Sequence, residues 1–408
     1  MRVFRQEHLQ LLTFLARKQA WLSPPEIART FRLRGRPVSK MTLYRWFATL
    51  EEQTGFAYFP HPRMNRLGLA EVYVRIEGPR NPGVLSTVPF SHAFFLELGW
   101  DGRSSVIQEY WVPGPDIKAF GEYWKTATEL GLVQSAEVVR ARNTHFVFSP
   151  FQEVIREDGW VEFPAEIDNE YFRGLLRRHL REPYEVRLAD RVAASPFVIP
   201  VVLEHLWQHC SSRQVWQAIR AKGEDRLRSF VRGLPTKDRD TPGAVLAVLQ
   251  KQWQGLLARF EDIFLQPVVF FPPGLLRNCP ILSVTVQPGS EDRIVNLAME
   301  ASRRSVTTAL MPEINGEGRC RIWCNPPSDQ LPAMLRLINE FHRGTKNPRF
   351  GVIDLGATRR LAQPAFVGFD WGAFDPEDLT WRFEGEAYLE GLKGLAPSRP
   401  LGFSPGVP

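Results

Sequence analysis

The 408-residue sequence predicts an α+β protein in which one two-part unit, a set of short helices followed by a βαββαβ sandwich, occurs twice. Three observations predict it. Apolar residues recur at helical spacing near the N-terminus and then at strand spacing, capping residues open the helices, and the punctuation of the first half returns in the second.

The return has a nearly constant offset. Gly78 and Gly289 end similar strands 211 residues apart, and the helices opening at Asp116 and Ser328 are 212 apart. Trp160 and Phe163 match Trp371 and Phe374, both at 211.

In the first unit, Leu9, Leu12 and Leu15 mark one face of a helix over Gln6 to Arg17. Ser23, Pro24, Pro25 and Glu26 open a second, short helix, with Ser as cap and Pro in the first turn. A basic turn, Arg32 to Pro37, leads to a third helix capped by Ser39. Its Leu43, Phe47 and Leu50 face inward, and Lys40, Tyr44 and Arg45 face outward.

That order is a helix-turn-helix, and Tyr58 to Arg63 is expected to form a wing beside it. Ser39, Lys40, Thr42, Tyr44 and Arg45 would meet base edges and backbone. Arg32, Arg34 and Arg36 would neutralise phosphates, which adds affinity but little sequence discrimination.

The first sandwich is read from strands at Leu69 to Ile76, Ala93 to Gly99, Ser104 to Val112 and Ala136 to Val139. A short helix is expected over Pro82 to Thr87 and a longer one from Asp116. The second has strands at Ile281 to Val286, Ser305 to Leu310, Arg319 to Cys324 and Phe350 to Leu355, a hairpin over Glu313 to Gly318, and helices at Glu291 to Ser302 and Ser328 to Phe341. The domain boundaries follow: 1–65 winged helix-turn-helix, 66–145 ferredoxin-like sandwich, 146–195 extension, 196–272 second and divergent helical unit, 273–360 second sandwich, 361–408 extension and tail.

Composition narrows the function classes. Charged residues at 24% and hydrophobic ones at 44% describe a globular chain, and a net charge of +6 permits an acidic partner without requiring one. The N-terminal segment is interrupted by Arg5, Glu7, His8, Arg17 and Lys18, unlike a signal peptide, and no stretch suits a bilayer. A cytoplasmic protein without membrane contact is expected. The four cysteines, Cys210, Cys279, Cys320 and Cys324, form no CxxC pair. Cys320 and Cys324 share one face of a strand about 13 Å apart, too far for a disulfide or a common metal.

The segments PEIARTF, SKMTLYRWFATLEE and LGLAEVYVRIEG, with LGWDG at the first sandwich hairpin, resemble the Lrp/AsnC (feast/famine) regulators. The resemblance covers roughly residues 1–142, and 199–356 weakly. It implies double-stranded DNA as partner, a RAM-type sandwich that pairs between chains or as a pseudo-dimer within one chain, and a small-molecule effector near Gly99, Asp101 and Gly102. It implies neither a cofactor nor a metal. The sequence departs from the pattern in the insertion KGEDRLRSFVRGLPTKDRD and in the long apolar helix expected over Gly243 to Phe264, so the second unit reads as a poorer DNA binder. In LRRHLRE, Arg177, Arg178 and Arg181 read as a solvated helix face, and the proline-rich end as a loose tail.

Siroheme decarboxylases resemble the same architecture, making an enzyme of tetrapyrrole synthesis the alternative, with His92, His145 and His342 as candidate histidines. No phosphate loop, GxSxG elbow or HExxH helix accompanies them. A non-catalytic scaffold is the third reading.

Overall fold

The computed structural model describes residues 3–189, 260–270, 275–314, 318–345, 348–354, 373–375 and 378–395, with scattered positions between 247 and 258. The expected second helical unit, apart from its last residues, lies outside the described residues, as do its basic insertion, Cys210, Trp371 and the tail.

Helices α1 (Gln6–Ala16) and α2 (Pro24–Thr30) form where expected. The Glu26 carboxylate accepts from both the Ser23 amide and the Ser23 hydroxyl, at 2.7 and 2.5 Å, which fixes the start of α2. Strands β1 (Arg32–Leu33) and β2 (Arg36–Pro37) make a minimal hairpin before α3 (Lys40–Thr54). Leu9, Leu12, Leu15, Ile27, Leu43 and Leu50 are all essentially buried and hold the three helices on one core.

The wing expectation fails at the next element. Strand β3 (Ala57–Pro62) is largely buried, and its partner lies two hundred residues away. The pairing is possible because the apolar run FLQPVVF extends as a strand, whereas the helix expected to end at Phe264 stops at Ile263. The first half of the sheet continues through β4 (Leu69–Glu77), β5 (Ser91–Gly99), β6 (Ser104–Pro113), α4 (Ile117–Glu129) and β7 (Ser135–Ala141). The short helix expected over Pro82 to Thr87 forms as a 3-10 helix over Pro82–Leu85.

Three elements of the 146–195 region were expected only as an extension: β8 (His145–Phe148), α5 (Phe151–Val154) and α6 (Glu170–Arg181). Arg177, Arg178 and Arg181 of α6 are exposed as expected, yet Phe172, Leu176, His179 and Leu180 on its other face are buried.

The remaining described elements are α7 (Phe260–Ile263), β9 (Phe264–Phe270), β10 (Leu282–Val286), α8 (Glu291–Ser302), β11 (Thr307–Pro312), β12 (Cys320–Cys324), α9 (Leu331–Phe341), β13 (Arg349–Ile353), the short pair β14 (Phe374–Asp375) and β15 (Thr380–Trp381), and α10 (Gly385–Gly394). β9 is the partner of β3, with Pro60 opposite Pro267. Proline is tolerated there because each strand of a two-stranded ribbon pairs along one edge only.

One antiparallel sheet runs in the order β7-β4-β6-β5-β13-β10-β12-β11-β8. It curls: β7 returns to β11, where the Arg142 amide donates to Pro312 and the Ile314 amide to Arg140. Alternation divides its two surfaces. Val72, Val74 and Ile76 pack in the core that includes Phe120, Tyr123 and Trp124 of α4, and Cys320, Ile322 and Cys324 pack with Ile294, Leu297 and Met334 of α8 and α9. Cys320 and Cys324 are accordingly buried free thiols.

On the alternate positions, Tyr73, Val139, Ala141 and Met311 form a smaller cluster. Near it Arg321, fully buried, pairs with Glu97 at 3.2 Å, and Arg75 reaches the same carboxylate at 2.7 Å. These ion pairs join side chains from both halves of the sheet. No helix among the described residues is long and apolar enough to cross a membrane.

Candidate nucleic-acid interface

Ser39 fixes the start of helix α3. The Ser39 side chain accepts from the Thr42 amide at 3.1 Å and lies 2.9 Å from the Thr42 hydroxyl, satisfying donors that the first helical turn leaves open. Thr42 is thereby used in the cap. Leu43 and Leu50 anchor the inner face, leaving Lys40, Met41, Tyr44 and Arg45 exposed on the outer one. The Lys40 ammonium sits 5.7 Å from the Tyr44 ring, so the two flank one another at the start of the helix.

Beside this face stands the β1–β2 hairpin. Its two-residue turn places Arg34 at φ 50° and Gly35 at φ 78°, the left-handed pair that a tight hairpin of matching twist requires. Gly35 has open space around it, so conformation rather than crowding selects glycine there. Arg32, Arg34 and Arg36 are exposed, and Arg32 also donates to the Phe31 carbonyl at 3.0 Å. None of these arginines, nor Lys40 or Arg45, has a carboxylate partner among the described residues. Five cations thus share one end of the helical unit with no carboxylate partner among the described residues.

The face is held rigidly from behind. Tyr58 of β3 donates no charge there: burial pushes its hydroxyl pKa far up, and that oxygen accepts from the Leu22 amide at 3.1 Å. The Trp21 ring stacks on Tyr58 at 5.9 Å. The strand expected as a wing therefore serves as the floor under the helices.

The effector candidates Gly99, Asp101 and Gly102 lie in the β5–β6 hairpin. Asp101 accepts from the Arg103 amide at 3.1 Å, and the Gly102 amide donates to Gly99 at 3.0 Å, so their polar groups close the turn itself. The hairpin lies where β5 meets β13, with Gly99 opposite Gly351.

The candidate histidines do not form one group. His342 lies apart, 3.1 Å from the Gln287 amide. His92 stacks on Trp111 at 3.9 Å, and His145 stacks on His179 at 5.3 Å. The sequence reading missed His61 and His179, both held by burial at a pKa of about 4, with a neighbouring histidine or Arg63 adding to the effect. Burial also keeps His145 well below the usual histidine range. Among the described residues no three His, Cys, Asp or Glu side chains are grouped as metal ligands.

No family model matches the chain, and no curated protein matches it. Among solved structures it is similar to the siroheme decarboxylase NirDL, at 11% identity and a TM-score of 0.41, covering 95% of this chain and 97% of that one. It is also similar to an anthrone oxidase-like protein, at 7% identity and a TM-score of 0.32, covering 73% of this chain and 94% of that one.

Proposed function

We propose that the chain binds double-stranded DNA through α3 and the β1–β2 hairpin and acts as a transcription regulator of the Lrp/AsnC kind. The supporting observation is the exposed set of Arg32, Arg34, Arg36, Lys40 and Arg45 around the capped start of α3, without a carboxylate partner among the described residues. A helix of that placement presents its first turns to a major groove, where Lys40, Tyr44 and Arg45 meet bases and phosphates, while the hairpin arginines lie along the backbone. In this reading the two halves of the curled sheet are the two sandwiches of a tandem unit, paired within one chain as a pseudo-dimer.

The test is fluorescence anisotropy with duplex DNA across a salt series. Wild-type protein binds at low salt and weakens steeply between about 50 and 200 mM. Arg34→Asn keeps the left-handed turn while removing the charge, so it lowers the salt slope by about one. Arg45→Ala weakens binding by about tenfold if it reads a base, and less if it meets only phosphate. Absence of salt-sensitive binding by the wild type would sink the proposal.

A further inference from the structure

A cavity of 720 Å³ lies between the end of β3, helix α6 and the α7–β9 corner. Its volume is in the range that takes a small organic ligand, about 300–1,000 Å³. Five guanidinium groups line it: Arg63, Arg66, Arg178, Arg181 and Arg187. The carboxylates are two, Glu182 and Asp262. Glu182 is shared by Arg63 and Arg66, at 2.5 and 3.4 Å, and at the rim Arg187 pairs with Glu185 at 3.2 Å and Arg181 with Asp292 at 3.4 Å, so the guanidinium groups that line the cavity still outnumber these carboxylates.

One wall is built rather than merely charged. Arg63 is 8% exposed and donates to the Phe264 carbonyl at 3.2 Å, so the guanidinium is fixed against β9. Its Nη2 lies 3.2 Å from His179 Nδ1. Arginine can only donate, so Nδ1 accepts, and the imidazole proton of the neutral ring is on Nε2. His179 is 7% exposed, and its Nε2 has no hydrogen-bond partner among the described residues. A buried N–H donor without an acceptor is costly, and because His179 lines the cavity, a small turn of its ring toward the cavity lets a ligand oxygen accept from it.

We infer that this cavity is a binding site for a small polyanion with clustered anionic oxygens, a multiply charged carboxylate or phosphate. Fixed Arg63 and the His179 Nε2–H orient one oxygen group, and Arg66, Arg178 and Arg187 at the rim take the others as charge-assisted bonds. The site shares no residue with the α3 face.

Isothermal titration of the full chain with citrate and, separately, with pyrophosphate, at ionic strength matched by sodium chloride, tests it without DNA present. Saturable binding of at least one anion is expected, and the tighter of the two names the carboxylate or the phosphate class. Arg66→Ala and Arg187→Ala, both at partly exposed positions, weaken it about tenfold each. His179→Phe weakens it while keeping the ring's bulk. Arg156→Ala removes an equal charge from a surface pair with Glu162 and leaves binding unchanged. No saturable heat with either anion, or equal weakening by Arg156→Ala, overturns the inference. Loss of DNA binding with retained anion binding would remove the regulator reading and leave the cavity standing.

Discussion

Buried ionisable side chains give this protein a pH response that can be assigned residue by residue. Burial raises the Glu71 carboxyl pKa to about 8, although the Thr144 amide and hydroxyl both donate to it. The folded state therefore holds a proton that the unfolded chain releases near pH 4.5, so Glu71 favours folding in acid and this contribution fades as pH rises from 4.5 to 8. His61 and His179 act with the opposite sign. Their folded pKa of about 4 lies below the ordinary 6.5, so their contribution is complete above 6.5 and is lost as pH falls toward 4. Glu71→Gln cannot ionise, so its urea midpoint should gain on the wild type between pH 5 and pH 8; a constant difference across that range would refute the assignment. At this scale the sequence was informative for exposed groups and silent for buried ones. Lys40, Tyr44 and Arg45 could be placed outward from helical spacing, whereas His61, Arg63 and His179 meet only through tertiary packing, and nothing in PHPR or RRHL signals it.

Elements with a local cause were legible, and those with a remote cause were not. The start of α3 is written in Ser39, and the start of α8 in Ser290, whose side chain accepts from the Arg293 amide at 3.4 Å. Ser39→Ala should therefore cost about 1 kcal/mol in chemical denaturation and fray the end of α3 that carries Lys40; Ser39→Asp should restore the stability. If Ser39→Ala leaves the midpoint unchanged, the cap does not hold that helix. Strand β3 had no such local signature. Its sequence, AYFPHP, contains two prolines and looks like a loop until β9 lies beside it, and β8 is likewise a strand because β11 offers an edge. The wing that was expected and not found and the strand β8 that was not expected thus have one origin: a pairing partner beyond any sequence window.

For the whole molecule, the α+β class and the positions of most strands in each half followed from alternation and turn residues, but the joining of the halves did not. The two halves share the β5–β13 edge, where Gly351 pairs with Gly99 and Ile353 with Glu97. A Cβ on Gly351 would lie 2.5 Å from the Glu97 side chain, so the join needs a glycine where the buried Glu97–Arg321 pair passes. That requirement has no local signature, because it comes from a residue in the other half.

The ribbon of β3 and β9 ties together positions 57 and 270, and with the shared sheet edge it means that each half completes the other's hydrogen bonding. Covalent continuity between them is then a convenience. Residues 1–195 and 196–408, produced as two separate polypeptides in one cell, should copurify as a one-to-one complex with the thermal midpoint close to that of the intact chain, whereas either fragment alone, left with open strand edges, should aggregate. Two independently soluble, monomeric fragments would show that the halves are neighbours and nothing more. Copurification would mean that the chain behaves as a heterodimer joined by a peptide bond, with changes on one side of the seam answerable to residues on the other.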